Sequence, residues 1–259
     1  GVRILTATTA FGYGIDNFVS LAQRCTGEAV RERLWFTRAA RVILATGAIE
    51  RPLVFPNNDR PGVMLASAAR SYLHRHGVLV GRKIVVVAQH DRGGRVALDL
   101  AAAGAQVTIV DARSHVAQDL RGRAATAGVS VILGEVPVDS RGRLRVSALA
   151  VSPDATGAPR WLPCDAVLMA GGWTPSIHLY SQSGGKPAWS AEREAFLPAN
   201  PRQAQASAGA CQGSVSLADC LREGWAEGGG DGKAPFALDP HHMGAGPCEG
   251  ERRGAADAA

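Results

Sequence analysis

The chain has 259 residues, 46% hydrophobic and 20% charged, a length and composition that predict one or two globular domains. Its formal net charge is +5, but no basic run is interleaved with aromatic residues, which argues against a nucleic-acid-binding surface. No apolar run approaches the ~20 residues that span a bilayer, so a membrane-spanning helix is not expected.

The five cysteines are widely spaced and form neither a CxxC pair nor a Cys/His pair at zinc spacing. This pattern predicts reduced thiols in a cytoplasmic protein, without a metal site or a redox disulfide. No secretory signal is visible, and the sequence begins with Gly1 in a stretch that is typical of a strand. We therefore expect the natural N-terminus to lie upstream.

The first sixty residues predict three strands and two irregular segments. The strands are residues 2–9, 30–38 and 41–46, the last of them almost wholly apolar, as in strands buried on both faces. Residues 11–19 are predicted as a turn, and residues 50–62 as a proline-rich connector.

A βαβ pattern follows a helix predicted at residues 64–76. Gly77, Gly104 and Gly128 follow predicted helices, where glycine commonly ends a helix. The pattern predicts half of a doubly wound nucleotide-binding sheet. Its predicted strands are 83–88, 106–111 and 129–133, and its predicted helices are 92–103 and 115–127.

The last part of the chain mixes strands, loops and small residues. We expect antiparallel strands at 143–151 and 160–163, a buried strand at 164–170, a loop over 176–200, a turn at 207–213 and a helix at 215–223. Residues 227–259 are rich in glycine and alanine and lack periodicity, which predicts disorder.

Two small-residue turns are candidate ligand contacts. Ala45-Thr46-Gly47 ends a buried strand, so the backbone at Gly47 can pass close to a ligand and Thr46 adds a hydroxyl; a plain β-turn fits the tripeptide equally well. Residues 207–211 (SAGAC) precede a helix, whose free N–H groups favour an anion such as pyrophosphate. Cys211 in this turn is more simply a packing residue.

The βαβ turn departs from the dinucleotide pattern Gly-x-Gly-x-x-Gly. Residues 88–93 read AQHDRG, so only the third glycine, Gly93, is present. His90 would fill the space of a pyrophosphate and Asp91 would repel it. Asp111 lies where an acid holds a ribose, but without the glycines we interpret it as a solvated strand-end acid. The turn therefore predicts Rossmann topology without tight dinucleotide binding.

The segment Gly171-Gly172-Trp173 follows a buried strand and allows close backbone approach to a cofactor or to a neighbouring domain. Trp173 is more simply a packing residue than a stacking one. None of the seven histidines lies in a recognisable nucleophile arrangement, so we predict no catalytic residue in this chain.

Three stretches together resemble the α subunit of heterotetrameric sarcosine oxidase. They are LATGAIERPLVFPNNDRPGVMLASAARSYLHRHGVLVG (44–81), MAGGWTPSIHLYSQSGGK (169–186) and SAGACQGSVSLADCLREG (207–224). Opine oxidase and hydrogen cyanide synthase subunits share the ATGAxERP core, whereas the NNDRPG and HLYSQSGGK segments favour sarcosine oxidase. The resemblance covers about residues 1–226.

The resemblance implies an α/β, Rossmann-like FAD/NAD(P)-binding fold of the flavoprotein disulfide-reductase type, with two nested dinucleotide-type domains, the first incomplete. Residues 1–55 and 171–226 would form parts of the first domain, and residues 56–170 the inserted second domain. Residues 227–259 would be a tail. The glycine-rich turn of the first domain would lie upstream of Gly1.

The resemblance also implies a function in a complex. In the family, the α subunit holds NAD, while the β subunit, with FAD and FMN, oxidises sarcosine to glycine and releases hydrogen peroxide. The one-carbon unit leaves as formaldehyde or passes to tetrahydrofolate, and γ and δ subunits complete the assembly. By the family pattern, Thr46, Gly47, Gly209 and Ala210 line the NAD site.

Two other functions are compatible with the sequence. One is an independent NAD(P)H-dependent FAD oxidoreductase domain, against which the degenerate turn at 88–93 and the lack of a CxxC argue. The other is a non-catalytic assembly module that supports a β subunit.

Overall fold

The computed structural model describes residues 2–27, 30–154 and 157–229. The chain opens with an antiparallel sheet of three strands, β1 (Thr8–Tyr13), β2 (Phe18–Arg24) and β3 (Glu32–Arg38). The prediction of a strand at 2–9 and a turn at 11–19 is wrong in its bounds. Gly12 lies inside β1 next to a β-bulge, and the turn is confined to the residues between β1 and β2, where Asp16 and Asn17 adopt positive φ.

Two short strands follow, β4 (Val42–Leu44) and β5 (Ala48–Glu50), on either side of Thr46 and Gly47. The predicted strand at 41–46 is thus confirmed, although it is shorter and only Leu44 is buried. Residues 51–62 contain no regular element, as the three prolines predict.

A five-stranded parallel sheet forms the largest unit. Its strands lie in the order β6 (Val63–Leu65), β13 (Ala166–Ala170), β7 (Lys83–Ala88), β8 (Gln106–Asp111) and β9 (Ser130–Leu133). The predicted βαβ unit is confirmed. Its connecting helices are α1 (Ala66–His76), α2 (Asp91–Ala102) and α3 (Gln118–Thr126).

The two faces of this sheet bury different layers, because successive strand residues point to opposite sides. Ile84 and Val86 pack among apolar residues of the three helices. Val85 and Val87 pack against a second, antiparallel sheet made of β10 (Val136–Arg141), β11 (Ala148–Ser152) and β12 (Arg160–Pro163). The parallel strands are therefore buried on both faces, which explains their continuous apolar sequence.

After β13 the chain returns to the first strands. Strand β14 (Trp173–Pro175) pairs antiparallel with β5, and β17 (Gln205–Ser207) pairs parallel with β4. The remaining elements are α4 (His178–Gln182), β15 (Lys186–Ser190), β16 (Ala195–Asn200), a 3-10 helix (Gly209–Gln212) and α5 (Leu217–Glu227).

The predicted loop over 176–200 is wrong. It contains α4 and the hairpin β15–β16, which is held by a Trp189–Phe196 ring pair with centroids 5.2 Å apart. The predicted tail lies outside the described residues from position 230 onward, and Glu227 still belongs to α5. Within the described ranges, no helix has the length and hydropathy required to span a membrane.

Candidate functional site

The structure brings the two predicted small-residue turns together. Strands β4 and β17 run parallel with Leu44 opposite Ser207, and the Ala208 N–H donates to the Leu44 carbonyl at 2.9 Å. The chain segments leaving both strands therefore start from the same edge. Thr46 and Gly47 follow β4, and Gly209 and Ala210 follow β17, so both predicted turns leave the same end of this strand pair.

The turn after β4 is held in place by residue Ser176. The Thr46 hydroxyl donates to the Ser176 carbonyl at 2.6 Å, and the Ser176 N–H donates to the Gly47 carbonyl at 3.0 Å. Gly47 has φ +72°, and a Cβ built on it would have no atom within 4 Å. Glycine is thus required here by the backbone, and the space beside it is open to a ligand.

The turn after β17 is closed by a carboxylate that the sequence did not indicate. Glu223, on α5, accepts the Gly209 N–H at 2.7 Å and the hydroxyl hydrogen of Ser214. The donor expected to bind a pyrophosphate is therefore already paired with a negative charge. Cys211 is buried and directs its thiol to the Leu44 carbonyl, as expected of a packing residue.

His90 occupies the N-terminus of α2, where the dinucleotide pattern has its glycine-lined space. Its Nδ1 accepts the Arg92 N–H at 3.2 Å, so the side chain caps the helix. Burial lowers the pKa of His90, and the positive charges of Arg92 and Arg113 lower it further. The imidazole is therefore neutral near pH 7.

Gly93 retains the third role of the dinucleotide pattern, which is close packing of helix on strand. A Cβ at Gly93 would lie 2.7 Å from the Cβ of Ala88 and 3.1 Å from that of Ala170. The turn has thus kept the glycine that packs α2 on the sheet and lacks the glycines that admit a pyrophosphate.

Asp111 is not the solvated acid that the sequence predicted. It is 1% exposed and accepts hydrogen bonds from the backbone N–H of Arg113 at 2.9 Å and from its guanidinium at 2.9 and 3.0 Å. The same guanidinium contacts Asp91 at 2.8 Å. These bonds, above all those to Asp111, raise the pKa of Arg113 against the effect of its burial. The prediction failed because Arg113 folds back over the strand end.

These contacts show how well a dinucleotide fits each turn. At the second turn, His90 caps the helix and the carboxylate of Asp111 is taken up by Arg113, so the residues present do not fit a dinucleotide. At the first turn, Gly47 leaves room for one, but Gly209 has no free N–H to offer.

A cavity of about 400 Å³ lies beside the first turn. Ala48, Ala210 and residues 213–216 form part of its wall, and the N-terminus of α2, Gly172 with β14, and the β15–β16 hairpin form the rest. Trp173, which was predicted as a packing residue, lines this cavity with the Arg92 guanidinium 5.4 Å from its ring centre. The cavity could not be predicted from the sequence, because its walls come from segments far apart in the chain.

Gly171 shows why the glycine pair follows β13. A Cβ on Gly171 would lie 2.7 Å from the Arg51 carbonyl oxygen, so the close backbone approach is to a neighbouring chain segment.

Among the described residues, four cysteines are free and no three His, Cys, Asp or Glu side chains group as a metal site would require. Cys248 lies outside the described residues.

Both the sequence and the fold of this chain are similar to those of known oxidoreductases. Residues 17–191 match the family of pyridine nucleotide-disulphide oxidoreductases. The sequence is 42% identical over 232 residues to the sarcosine oxidase α subunit of Rhizobium meliloti, covering 86% of this chain and 23% of that protein. It is 42% identical over 238 residues to the α subunit of Corynebacterium sp. (strain P-1), covering 86% of this chain and 24% of that protein.

The predicted resemblance to sarcosine oxidase α subunits is thereby confirmed, and the chain spans about a quarter of the length of these relatives. The thioredoxin reductase of T. acidophilum superimposes with a TM-score of 0.65 at 15% identity, covering 84% of this chain and 70% of that one. This likeness confirms the predicted Rossmann-like FAD/NAD(P)-binding fold. The chain belongs to the pyridine nucleotide-disulphide oxidoreductase family.

Proposed function

We propose that the chain is the dinucleotide-binding segment of the α subunit of a sarcosine oxidase. The observation that carries the proposal is 42% identity to sarcosine oxidase α subunits across 86% of the chain. The complex would convert sarcosine, oxygen and water into glycine, formaldehyde and hydrogen peroxide, with tetrahydrofolate as the alternative acceptor of the one-carbon unit. The redox step would take place in a partner β subunit that carries FAD and FMN, and γ and δ subunits would complete a cytoplasmic assembly.

In this proposal residues 1–55 and 171–226 form the part of the first dinucleotide domain that belongs to this chain, and residues 56–170 form the inserted second domain. NAD would bind to the first domain. The convergence of β4 and β17, the open space at Gly47 and the nearby Ala210 support this placement. Thr46 would act by holding the turn, since its hydroxyl is bonded to Ser176.

A specific observation favours an assembly module as the second candidate. Both turns have their expected ligand groups engaged internally, Gly209 with Glu223 and Asp111 with Arg113.

The same contacts argue against an independent NAD(P)H-dependent FAD oxidoreductase. For that function, we expect His90→Gly to give no NADPH oxidation, because Asp91 and its partner Arg113 remain; rapid NADPH oxidation by the variant would contradict this.

The test is to express the full α chain with its partner subunits and to analyse the nucleotides released on denaturation. We expect NAD in the complex, hydrogen peroxide when sarcosine is added, and no sustained peroxide from the chain alone. Absence of NAD from a correctly assembled complex would refute the cofactor assignment, and peroxide from the chain alone would refute the division of labour.

A matched pair of glycine variants tests the location of NAD. Gly47 and Gly77 both have positive φ and open space at the Cβ position, so alanine imposes similar backbone strain at each. We expect Gly47→Ala to reduce bound NAD and Gly77→Ala to leave it unchanged. Equal NAD content in the two variants would place the cofactor elsewhere.

A further inference from the structure

We propose that β3 is a surface through which two copies of this chain associate, with its open edge pairing antiparallel to β3 of the second copy. The two three-stranded sheets would then form one continuous sheet about a two-fold axis. The inference goes beyond the proposed function, because it involves no cofactor, no substrate and no redox step.

Strand β3 lies at the edge of its sheet. The strands run in the order β1-β2-β3, so within the described part of the chain β3 pairs on one side only, with β2. The other side presents backbone N–H and C=O groups that have no strand beside them. Such a row of groups is a template for a further strand, and antiparallel addition of a strand is a common mode of protein association.

The hydrogen bonds at the two ends of the β2–β3 pair show which residues face the open edge. The Cys25 N–H donates to the Arg31 carbonyl at 2.8 Å, and the Ala39 N–H donates to the Asn17 carbonyl at 3.1 Å. Both pairs continue the register of β2 with β3, and hydrogen-bonded pairs alternate along an antiparallel ladder. The odd-numbered residues of β3 therefore bond to β2, and the even-numbered residues direct their N–H and C=O groups to the edge.

The even-numbered residues also share one face of the sheet, and the middle of this face is apolar. Leu34 is 59% exposed and Phe36 is 64% exposed. The Phe36 ring stacks on Phe18 of β2 with centroids 5.9 Å apart, which holds it beside the edge. Edge strands that stay unpaired commonly carry a proline or a charge at such positions, and the middle of β3 carries neither on this face. The composition of β3 is therefore that of a strand that is covered.

The ends of the same face carry opposite charges, Glu32 at one end and Arg38 at the other. Glu32 forms no ion pair with any described residue, although Arg24 lies opposite it on β2. Arg38 reaches Asp16 only at 3.8 Å, and both of these side chains are largely exposed. Both end charges thus remain available to a second strand.

These charges select one register for the pairing of two copies. When Trp35 lies opposite its own copy, Leu34 faces Phe36 of the second copy and Glu32 faces Arg38 of the second copy. Even-numbered residues then oppose even-numbered residues, so the outward backbone groups meet. The two-fold axis repeats each contact, and cross-strand pairs of opposite charge or of apolar side chains stabilise an antiparallel sheet. A shift by two residues in either direction separates the charges, so β3 is complementary to itself in this register.

The test is sedimentation velocity of the full chain at concentrations from about 1 to about 100 μM. We expect the unmodified chain to dimerise, and E32R or R38E alone to raise the dimer Kd about tenfold, because each variant places like charges opposite each other twice. The matched controls are D119R and R123E, which each reverse one charge of an exposed ion pair on α3. We expect these controls to leave the dimer Kd unchanged within about twofold.

A mixture of E32R and R38E separates an interface from a folding defect. In a mixed dimer the reversed charge at position 32 of one copy faces the reversed charge at position 38 of the other, and the two native charges face each other. Both contacts are then attractive, so we expect the mixture to dimerise within about threefold of the unmodified chain. Variants that had merely misfolded would gain nothing from being mixed.

Leu34→Pro tests whether the backbone edge itself is used. Proline removes an N–H that faces the open edge and leaves the ladder with β2 in place, and proline is tolerated at such edge positions. We expect this variant to lose the dimer with an unchanged circular dichroism spectrum. Leu34→Thr keeps the N–H and is expected to weaken the dimer less.

Four results would overturn the inference. The first three are a chain that stays monomeric at every concentration, a mixture of E32R and R38E that associates no better than either variant, and equal effects of E32R and its controls. The fourth is release of a partner subunit from the assembled complex by E32R, which would assign the edge of β3 to that partner. Because the oligomeric state is measured without NAD or sarcosine, failure of this inference is distinct from failure of the proposed oxidase function.

Discussion

Arg113→Ala is expected to destabilise the protein through the acid that it leaves behind. Asp111 is 1% exposed and receives two hydrogen bonds from the guanidinium, at 2.9 and 3.0 Å. Removing one partner of a buried ion pair costs ~3–5 kcal/mol, because the remaining charge is uncompensated. The Arg113 side chain is 36% exposed, so water reaches the vacated space and the lower end, about 3 kcal/mol, applies.

The assay is chemical denaturation at pH 7, with thermal unfolding as a second measurement. A loss of about 3 kcal/mol lowers the melting temperature by ~6–12 °C in a chain of this size. Arg160→Ala is the matched control, since its contact with Glu135 is as short, 2.7 Å, but its side chain is 54% exposed. We expect the control to cost less than ~1 kcal/mol.

Neutralising Asp111 is expected to rescue the Arg113→Ala variant in part. Asp111→Asn in the Arg113→Ala background removes the uncompensated charge and is expected to restore part of the lost stability. If Arg113→Ala costs no more than Arg160→Ala, or if Asp111→Asn lowers stability further, the buried charge does not control stability here.

Three further predictions concern the turns. The folded-state pKa of His90 lies below its unfolded value of ~6.5, so the free energy of unfolding decreases as the pH falls through that value. His90→Asn keeps a capping side chain and should make the free energy of unfolding less dependent on pH between pH 7.5 and 5. Gly93→Ala should lower the free energy of unfolding by ~1–3 kcal/mol, because the added methyl group overpacks against Ala88. Gly122→Ala, with open space in the middle of α3, should raise it by ~0.5–1 kcal/mol. Equal effects of the two variants in denaturant titrations would refute the packing role of Gly93. Glu223→Gln removes a negative charge beside Gly209 and should tighten NAD binding about fivefold, on the order of 1 kcal/mol. Nucleotide titrations of the assembled protein measure this change. Weaker binding by the variant would show that the carboxylate supports the NAD site.

The sequence predicted the inserted sheet closely and the outer elements less well. Strands 83–88 and 106–111 match the structure residue for residue, because strands buried on both faces carry largely apolar runs with polar residues at their boundaries. The hairpin within 176–200 was missed because its apolar residues, such as Trp189 and Phe196, are half-exposed and stand among prolines and charges.

At the candidate site, the turns could be predicted from short motifs in the sequence, whereas the side chains that contact them from distant segments could not. The turns at Gly47 and Gly209 were visible as short motifs, and the pairing of β4 with β17 brings them to one edge. The carboxylate of Glu223 and the guanidinium of Arg113 were not predicted as partners of these turns, because each contact depends on where a flexible side chain folds back.

The pairing of β4 with β17 has a consequence for synthesis on the ribosome. Cys211 contacts the carbonyl of Leu44 across 167 positions of sequence, and between them the whole five-stranded sheet is completed. As translation proceeds, the inserted sheet can form while β4 still presents open edge groups to other nascent chains. A ribosome that pauses before Gln205 would thus hold a folded insert beside an unpaired strand, whose open edge favours association with other chains.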